Sequence, residues 1–469
     1  MKRAISFLSP KAPLVLTYML QQFEYNPGKF LEWIASYPNL FKVQKRGKLH
    51  FTSRAKLMVA AAYLSWGFVL IAGVMAAYLQ TKPLLLLILL APAASALSLL
   101  LITLVLQAVI VNPRQNREIH AAKAKLAKSS AQRIAVMGSY GKTTMKELLV
   151  TVLSEAKKVA ATPGNKNVLI SQARWVNQNV QGDEDILIFE YGEAGPGDIA
   201  KLAGFSAPSM AVVTGLAPAH MDAYPSLEAV ADDFAAIQGV VSPENTFVSG
   251  GNELLRQKIK GNYYDENGLG DREVTNANVD FSGTSFTLTN GDKTLQLKTG
   301  LLGKHQIGPI TAAVVIALRL GLTNEQITAG VAATQPYEHR MQPRHLHGAW
   351  IIDDTYNGNI EGMRAGLELL KSLPGKRKIY VTPGLVDQGN ETERVHAELG
   401  ALIAAARPDQ VVLMQNSATS FMQAGLQKGG FKGEIKVEVN PLEFYTNLDH
   451  YLAAGDVVML QNDWPDSYA

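Results

Sequence analysis

The chain has 469 residues, 47% of them apolar and 18% charged, which is too long for one domain at roughly 150 residues each and too apolar for a disordered or collagen-like chain. Cysteine is absent, which excludes a disulfide scaffold, a thiol nucleophile and a cysteine zinc site. The net charge of +3 is unevenly divided: residues 1–133 hold 17 Lys/Arg against 3 Asp/Glu and the other 336 hold 27 against 38, so the pattern predicts a basic membrane-proximal arm and an acidic soluble body rather than a nucleic-acid binder.

Residues 1–54 form a basic segment in which residues 19–23 and 30–34 read as short amphipathic helices. They are expected either on the inner face of a membrane or as a cap on the soluble body. Between Lys56 and Lys82 lie 25 residues without a formal charge, and 31 more run from Pro83 to Pro113. About 20 apolar residues span the ~30 Å hydrocarbon layer, so residues 55–112 are expected to form a transmembrane helical hairpin turning at Gln80-Thr81-Lys82-Pro83. Basic residues flank both outer ends, from Lys42 to Lys56 and from Arg114 to Lys128. The positive-inside rule then places both termini in the cytoplasm. Residues 113–133 read as a basic linker.

Ile134-Ala135-Val136-Met137 reads as a buried strand running into Gly138-Ser139-Tyr140-Gly141-Lys142-Thr143-Thr144, and a helical stretch follows. Strand, glycine loop and helix are the context a P-loop requires. The backbone N–H groups of the loop and the helix N-terminus attract phosphate oxygens. Lys142 would bridge the terminal phosphates, and the Thr143 hydroxyl would ligate Mg²⁺. A second strand, Ile186 to Phe189, delivers Glu190 at its C-terminal end, where carboxylates hold Mg²⁺ beside a P-loop. A third leads to Ala219-His220-Met221-Asp222, making His220 a candidate second metal ligand.

These motifs together resemble the Mur ligases, ATP-dependent amide-bond ligases of bacterial peptidoglycan assembly. The loop is similar to their T-G-x-x-G-K-T-T, with Met137 at the first Thr. Thr162 to Asn167 resembles the Gly-Asn-x-Asn loop of the MurF members, with Asn165 and Asn167 as substrate contacts. Glu190-Tyr191-Gly192, followed by Gly197-Asp198-Ile199, resembles E-x-G…G-[ED]-I. Ala219 to Asp222 resembles A-H-L-E, His339-Arg340 resembles [GH]-R, and Asp353 to Asn359 resembles D-D-x-Y-N-x-N. The resemblance implies a P-loop central domain over residues 134–340 and a C-terminal Rossmann-like α/β domain over 341–469. It implies ATP and Mg²⁺ as cofactors, with Arg340, Asp354, Tyr356 and Asn357 around the nucleotide. Alternating strand-like and helical stretches from Lys378 to Leu460 independently suggest a doubly wound sheet.

Three departures stand out. Phe234 occupies the place of the carbamylated lysine that helps relatives bind a second Mg²⁺; Asp233, or else Asp232, is expected to supply that charge. Gln306 and Pro309 replace both amides of the family's G-x-H-N-x-x-N. The basic arm and the hairpin occupy the place of the UDP-sugar domain of MurF. The expected protein is a MurF-like ligase of the bacterial cell membrane, with cytoplasmic catalytic domains. It would join a muramoyl-peptide-like acceptor to an amino acid or dipeptide through an acyl-phosphate, near other cell-wall synthesis proteins. Two alternatives stay open: a lipid-linked or polyamino-acid acceptor, and a ligase-derived scaffold that binds nucleotide and joins nothing.

Overall fold

In the computed structural model, which describes residues 6, 9–36, 39–40, 43, 49–79, 91–164, 166–218, 223–356, 358–386 and 388–462, both uncharged stretches form long helices, Ser53–Tyr78 and Ala91–Leu106. The expected turn at residues 80–83 lies outside the described residues. The chain divides into two units, Met1–Arg117 and Glu118–Ala469.

In the first unit the 26 residues of Ser53–Tyr78 extend about 39 Å at 1.5 Å per residue. Ser53–Ala76 and Ala93–Lys128 are both long and apolar enough to cross a membrane. Leu64, Phe68 and Ile71 are two-thirds or more exposed, an arrangement that water penalises and hydrocarbon does not. The polar side chains between the helices turn inward: Ser65 Oγ meets Ser98 Oγ at 3.0 Å, and Ser95 Oγ donates to the Ala62 carbonyl at 2.9 Å. Internal pairing of this kind is what a medium without water demands. The short N-terminal helices, Ala12–Gln22 and Pro27–Ala35, bury Val15, Leu16, Leu20 and Phe30 against Met58, Ala62 and Leu99. They therefore pack on the long helices of their own unit.

The stretch expected as a basic linker is instead helical over Asn112–Lys128, following a π-helical turn at Gln107–Val111. Ala122 and Leu126 on it are buried in the core of the second unit. The division between units falls within this helix, at Arg117.

The second unit contains two sheets. The first has the order β10-β9-β8-β7-β6-β5-β4-β1-β3-β2. Its parallel part comprises β1 (Gln132–Met137), β2 (Val159–Ala161), β3 (Ile186–Glu190), β4 (Met210–Val213), β5 (Thr246–Ser249) and β6 (Asn262–Asp265). The buried strands read as continuous apolar runs, as strands covered on both faces do. An antiparallel extension follows: β7 (Gly268–Leu269), β8 (Arg272–Asp280), β9 (Gly283–Asn290) and β10 (Lys293–Thr299). The chain leaves β1 toward β2 and β3 on one side and returns to β4 on the other. The resulting crevice at the carboxyl end of β1 is where open α/β sheets bind ligands.

The second sheet is ordered β11-β12-β16-β13-β14-β15. It contains β11 (Gln342–Leu346), β12 (Ala349–Asp354), β13 (Arg377–Thr382), β14 (Gln410–Met414), β15 (Glu434–Glu438) and β16 (Asp456–Gln461), parallel except for the β11–β12 pair. Helices Thr392–Ala406 and Thr419–Lys428 cross glycine against glycine. A Cβ on Gly400 would lie 2.2 Å from the Met422 carbonyl oxygen, and one on Gly425 would lie 2.1 Å from that of Ala397. Gly400→Ala is therefore expected to cost about 1–3 kcal/mol through overpacking, measured as a lower melting temperature. An unchanged melting point would show that the helices reseat freely.

Candidate functional site

The glycine loop from Gly138 to Gly141 joins β1 to the helix Lys142–Leu153. Gly138 sits at φ +141°, and a Cβ there would come 2.3 Å from Thr214 Oγ1, so glycine is needed for close approach as well as for conformation. Gly141, at φ +75°, caps the helix Lys142–Leu153. The Ser139 N–H donates to the Gly215 carbonyl at 2.9 Å, while its hydroxyl is buried without a hydrogen-bond partner. Tyr140 lies against Gly215, and burial pushes its phenol up to about 12. Thr143 Oγ1 is 3.1 and 3.3 Å from the two Glu190 carboxylate oxygens.

Glu190 ends β3 almost fully buried, because its N–H donates to Thr162 Oγ1 and its carbonyl accepts from Gln172 Nε2. Its carboxylate pairs at 3.2 Å with Lys146, whose side chain is 0% exposed. Lys146 lies one helical turn beyond Lys142 on the same face. Lys142 is itself paired with Glu193, at 2.9 and 3.1 Å, and donates to the Gly138 carbonyl. The Gly192 N–H donates to the Asn167 carbonyl at 2.9 Å, and a Cβ on Gly192 would clash with the Asn167 side chain. Asn165, His220 and Asn357 lie outside the described residues.

The charge expected from Asp233 is committed elsewhere. One of its oxygens accepts from the Gly197 N–H and the other from the Tyr224 hydroxyl, both at 2.8 Å. Burial, then this bond to Asp233, raise the Tyr224 pKa above its ordinary value. Asp232 is exposed and pairs with Lys258 at 2.6 Å. Phe234 is buried in the core, and the helix that must bury it turns both aspartates to other partners. Among the described residues no group of three or more His, Asp or Glu is arranged to hold a metal.

Opposite the loop, Arg340 stands just before β11, and its guanidinium lies 4.2 Å from the centre of the Tyr356 ring. Burial lowers the Arg340 pKa, opposed by the charges of Asp354, Tyr356 and Glu190. Asp354 accepts from Gln461 Nε2 at 2.9 Å and from the Met341 N–H at 3.2 Å. Burial nevertheless dominates and pushes its carboxyl up to about 6 from 3.8. A carboxyl raised by folding adds stability below its unfolded-state pKa, and that contribution is lost as pH rises through the folded value. Asp354→Asn is therefore expected to flatten the fall in melting temperature between about pH 4 and about pH 6. A profile parallel to the parent's would contradict this.

Between the two sides lies a cavity of about 510 Å³, lined among others by Tyr140, Gly141, Thr144, Arg340, Asp354 and Glu361. Gln306 and Pro309, at the replaced amide positions, line it too.

The Mur ligase middle-domain model matches residues 136–317, and that of the Mur ligase glutamate ligase domain matches residues 339–461. The chain belongs to the Mur ligase family. The Escherichia coli (strain K12) UDP-N-acetylmuramoyl-tripeptide--D-alanyl-D-alanine ligase is 30% identical over 292 residues, covering 60% of this chain and 64% of that one. The Bacillus subtilis (strain 168) protein of the same name is 26% identical, covering 72% and 75%. The chain thus spans slightly under two-thirds of the first of these relatives. Among solved structures, MurF from Thermotoga maritima in complex with ADP shares the fold with a TM-score of 0.66 at 23% identity, covering 74% of this chain and 80% of that one. MurF from Acinetobacter baumannii gives 0.65 at 22%, covering 74% and 77%.

Within this Mur ligase fold the donor set fits Mg²⁺, a hard cation bound through one or two protein oxygens plus phosphates and water. The Thr143 hydroxyl and Glu190 carboxylate meet at the helix N-terminus, and the unpartnered Ser139 hydroxyl adds a polar group to the loop. Sequence reasoning missed Lys146 and Glu193. The signals were present: a lysine one helical turn past Lys142, and a second acid three residues after Glu190.

Proposed function

We propose that the chain is a membrane-anchored, MurF-type ATP-dependent ligase. It would join the carboxylate of a muramoyl-tripeptide to the amine of a dipeptide such as D-alanyl-D-alanine, on the cytoplasmic face of a bacterial membrane. The observation that carries this reading is that Tyr140, Gly141 and Thr144 of the loop line one cavity with Arg340 and Asp354, while the Glu190 charge, beside Thr143, acts on Arg340. Groups from the loop after β1 and from the end of β12 thus line one cavity. In this reading Gly138 to Thr144 cradle the phosphates, and Lys142 with Arg340 stabilises charge on the transferring phosphoryl group. Thr143 and Glu190 would hold Mg²⁺, which would supply neutralising charge to the phosphates. Tyr356 and Asp354 border the nucleoside, and Asn167 supports the Gly192 turn facing the substrate. Asp233 and Tyr224 fix the Gly197 turn rather than a metal. The acceptor carboxylate attacks the γ-phosphate and expels ADP; the amine then attacks the acyl carbon, expels phosphate and gives up a proton to solvent, and no protein nucleophile is needed. Residues 134–340 and 341–469 act as the two catalytic domains, and cell-wall synthesis proteins are the expected neighbours.

The exposed apolar belt on helices Ser53–Tyr78 and Ala91–Leu106 favours a second reading, in which the acceptor is lipid-linked. An anchor raises the local concentration of such a substrate. Detergent-solubilised protein incubated with ATP, D-alanyl-D-alanine and either a UDP-linked or a lipid-linked tripeptide, with the product identified by mass spectrometry, tests both. A product from neither acceptor would contradict MurF-type ligation. The anchor is tested separately. The protein is expected to stay with membranes through carbonate washing, and its release would show attachment by the basic arm alone.

A further inference from the structure

Lys142 is not free to receive a phosphate. Both Glu193 carboxylate oxygens lie within 3.1 Å of its ammonium, and the Glu193 side chain is 2% exposed. The segment bearing Glu193 is pinned on both sides. The Gly192 backbone is held by Asn167, Tyr191 is buried with its hydroxyl donating to the Leu202 carbonyl, and the Gly197 N–H is fixed by Asp233. Glu193 thus places an anion against the loop lysine, in the electrostatic role of a phosphate oxygen. A second buried carboxylate, Glu190, lies on Thr143 and Lys146.

A nucleotide that takes Lys142 leaves Glu193 as a buried carboxylate that has lost its cation, next to the nucleotide's own negative phosphates. Removing one partner from a buried ion pair is costly, because the remaining charge is neither hydrated nor compensated. A divalent cation arriving with the phosphates relieves that conflict, and a bare nucleotide does not. We propose that Glu193 is an internal competitor for Lys142 that makes the phosphate loop select nucleotide carrying a divalent cation over free nucleotide. The inference rests on the nucleotide-site reading given above and adds to it a residue that sets ligand selectivity.

The test is calorimetric titration of the full-length, detergent-solubilised protein with adenylyl imidodiphosphate, in Mg²⁺ and in EDTA, for the parent and Glu193→Gln. The parent is expected to bind tightly in Mg²⁺ and weakly in EDTA. Glu193→Gln is expected to bind in EDTA roughly tenfold more tightly than the parent, the scale of one charge-assisted contact, so that the advantage of Mg²⁺ shrinks. The nucleotide-free variant should melt no higher than the parent, because Lys142 has lost its counter-ion; a general loss of structure would weaken binding instead. Binding by Glu193→Gln in EDTA at or below the parent's affinity overturns the proposal. So does a parent whose affinity is the same with and without Mg²⁺, a result that requires no variant to fold. A parent that binds no nucleotide even in Mg²⁺ overturns the nucleotide-site reading and this inference with it.

Discussion

Replacing Lys142 by alanine is expected to lower ATP turnover by about three orders of magnitude, the scale seen when a preorganised charge is withdrawn from a phosphoryl-transfer site. The lysine follows Gly141 at the start of a helix, and its ammonium lies over the loop beside the Gly138 carbonyl. No other cation is hydrogen-bonded there among the described residues; Lys146 is committed to Glu190 and Glu147. The variant also strands the buried Glu193 carboxylate, so lost turnover must be separated from lost structure. Lys142→Ala combined with Glu193→Gln removes both charges and is expected to melt close to the parent while remaining inactive. Phosphate release within tenfold of the parent by a folded Lys142→Ala variant would contradict the role given to the loop.

Glu190→Gln is expected to act on stability and chemistry together. Its carboxylate serves Thr143 on one side and the fully buried Lys146 on the other. Breaking a buried pair from one side costs about 3–5 kcal/mol, because the remaining charge is left without solvent or partner. Lys146 retains Glu147 at 3.2 Å, a more exposed partner, so the lower end of that range is expected. It would be measured as a fall in melting temperature. Adding Lys146→Met removes the stranded cation and should restore most of the stability without restoring turnover, since the carboxylate beside Thr143 is still absent. Recovery of turnover in the double variant would show that Glu190 matters only as a counter-ion.

The features legible in the sequence were those set by local order. Met137 to Thr144 could be read because strand, glycines and helix follow one another without interruption, and Glu190 because a buried strand ends on it. The two long helices were legible because no charged residue interrupts residues 57–81 or 83–113. The partner of each charge was not legible. Asp233 looked available because its ties, to the Gly197 N–H and the Tyr224 hydroxyl, come from separate segments of chain. Glu193 stood out only as a second acid after Glu190; its pairing with Lys142, 51 residues earlier, is set by the fold. Residues 113–133 read as a linker from their charge, yet Ala122 and Leu126 place an apolar stripe in the core. The antiparallel extension β7 to β10 escaped notice because β7 is only two residues long and the polar β8, Arg272–Asp280, buries none of its residues.

The central claim is that this cavity activates a carboxylate with ATP and passes it to an amine. The direct measurement uses acceptor peptide labelled with ¹⁸O in its terminal carboxylate, incubated with the solubilised protein, ATP, Mg²⁺ and D-alanyl-D-alanine. An acyl-phosphate leaves one carboxylate oxygen on the phosphate when the amine displaces it, so each amide formed should be matched by one phosphate carrying ¹⁸O. Released phosphate without the label, or ATP turnover without an amide product, would contradict the account.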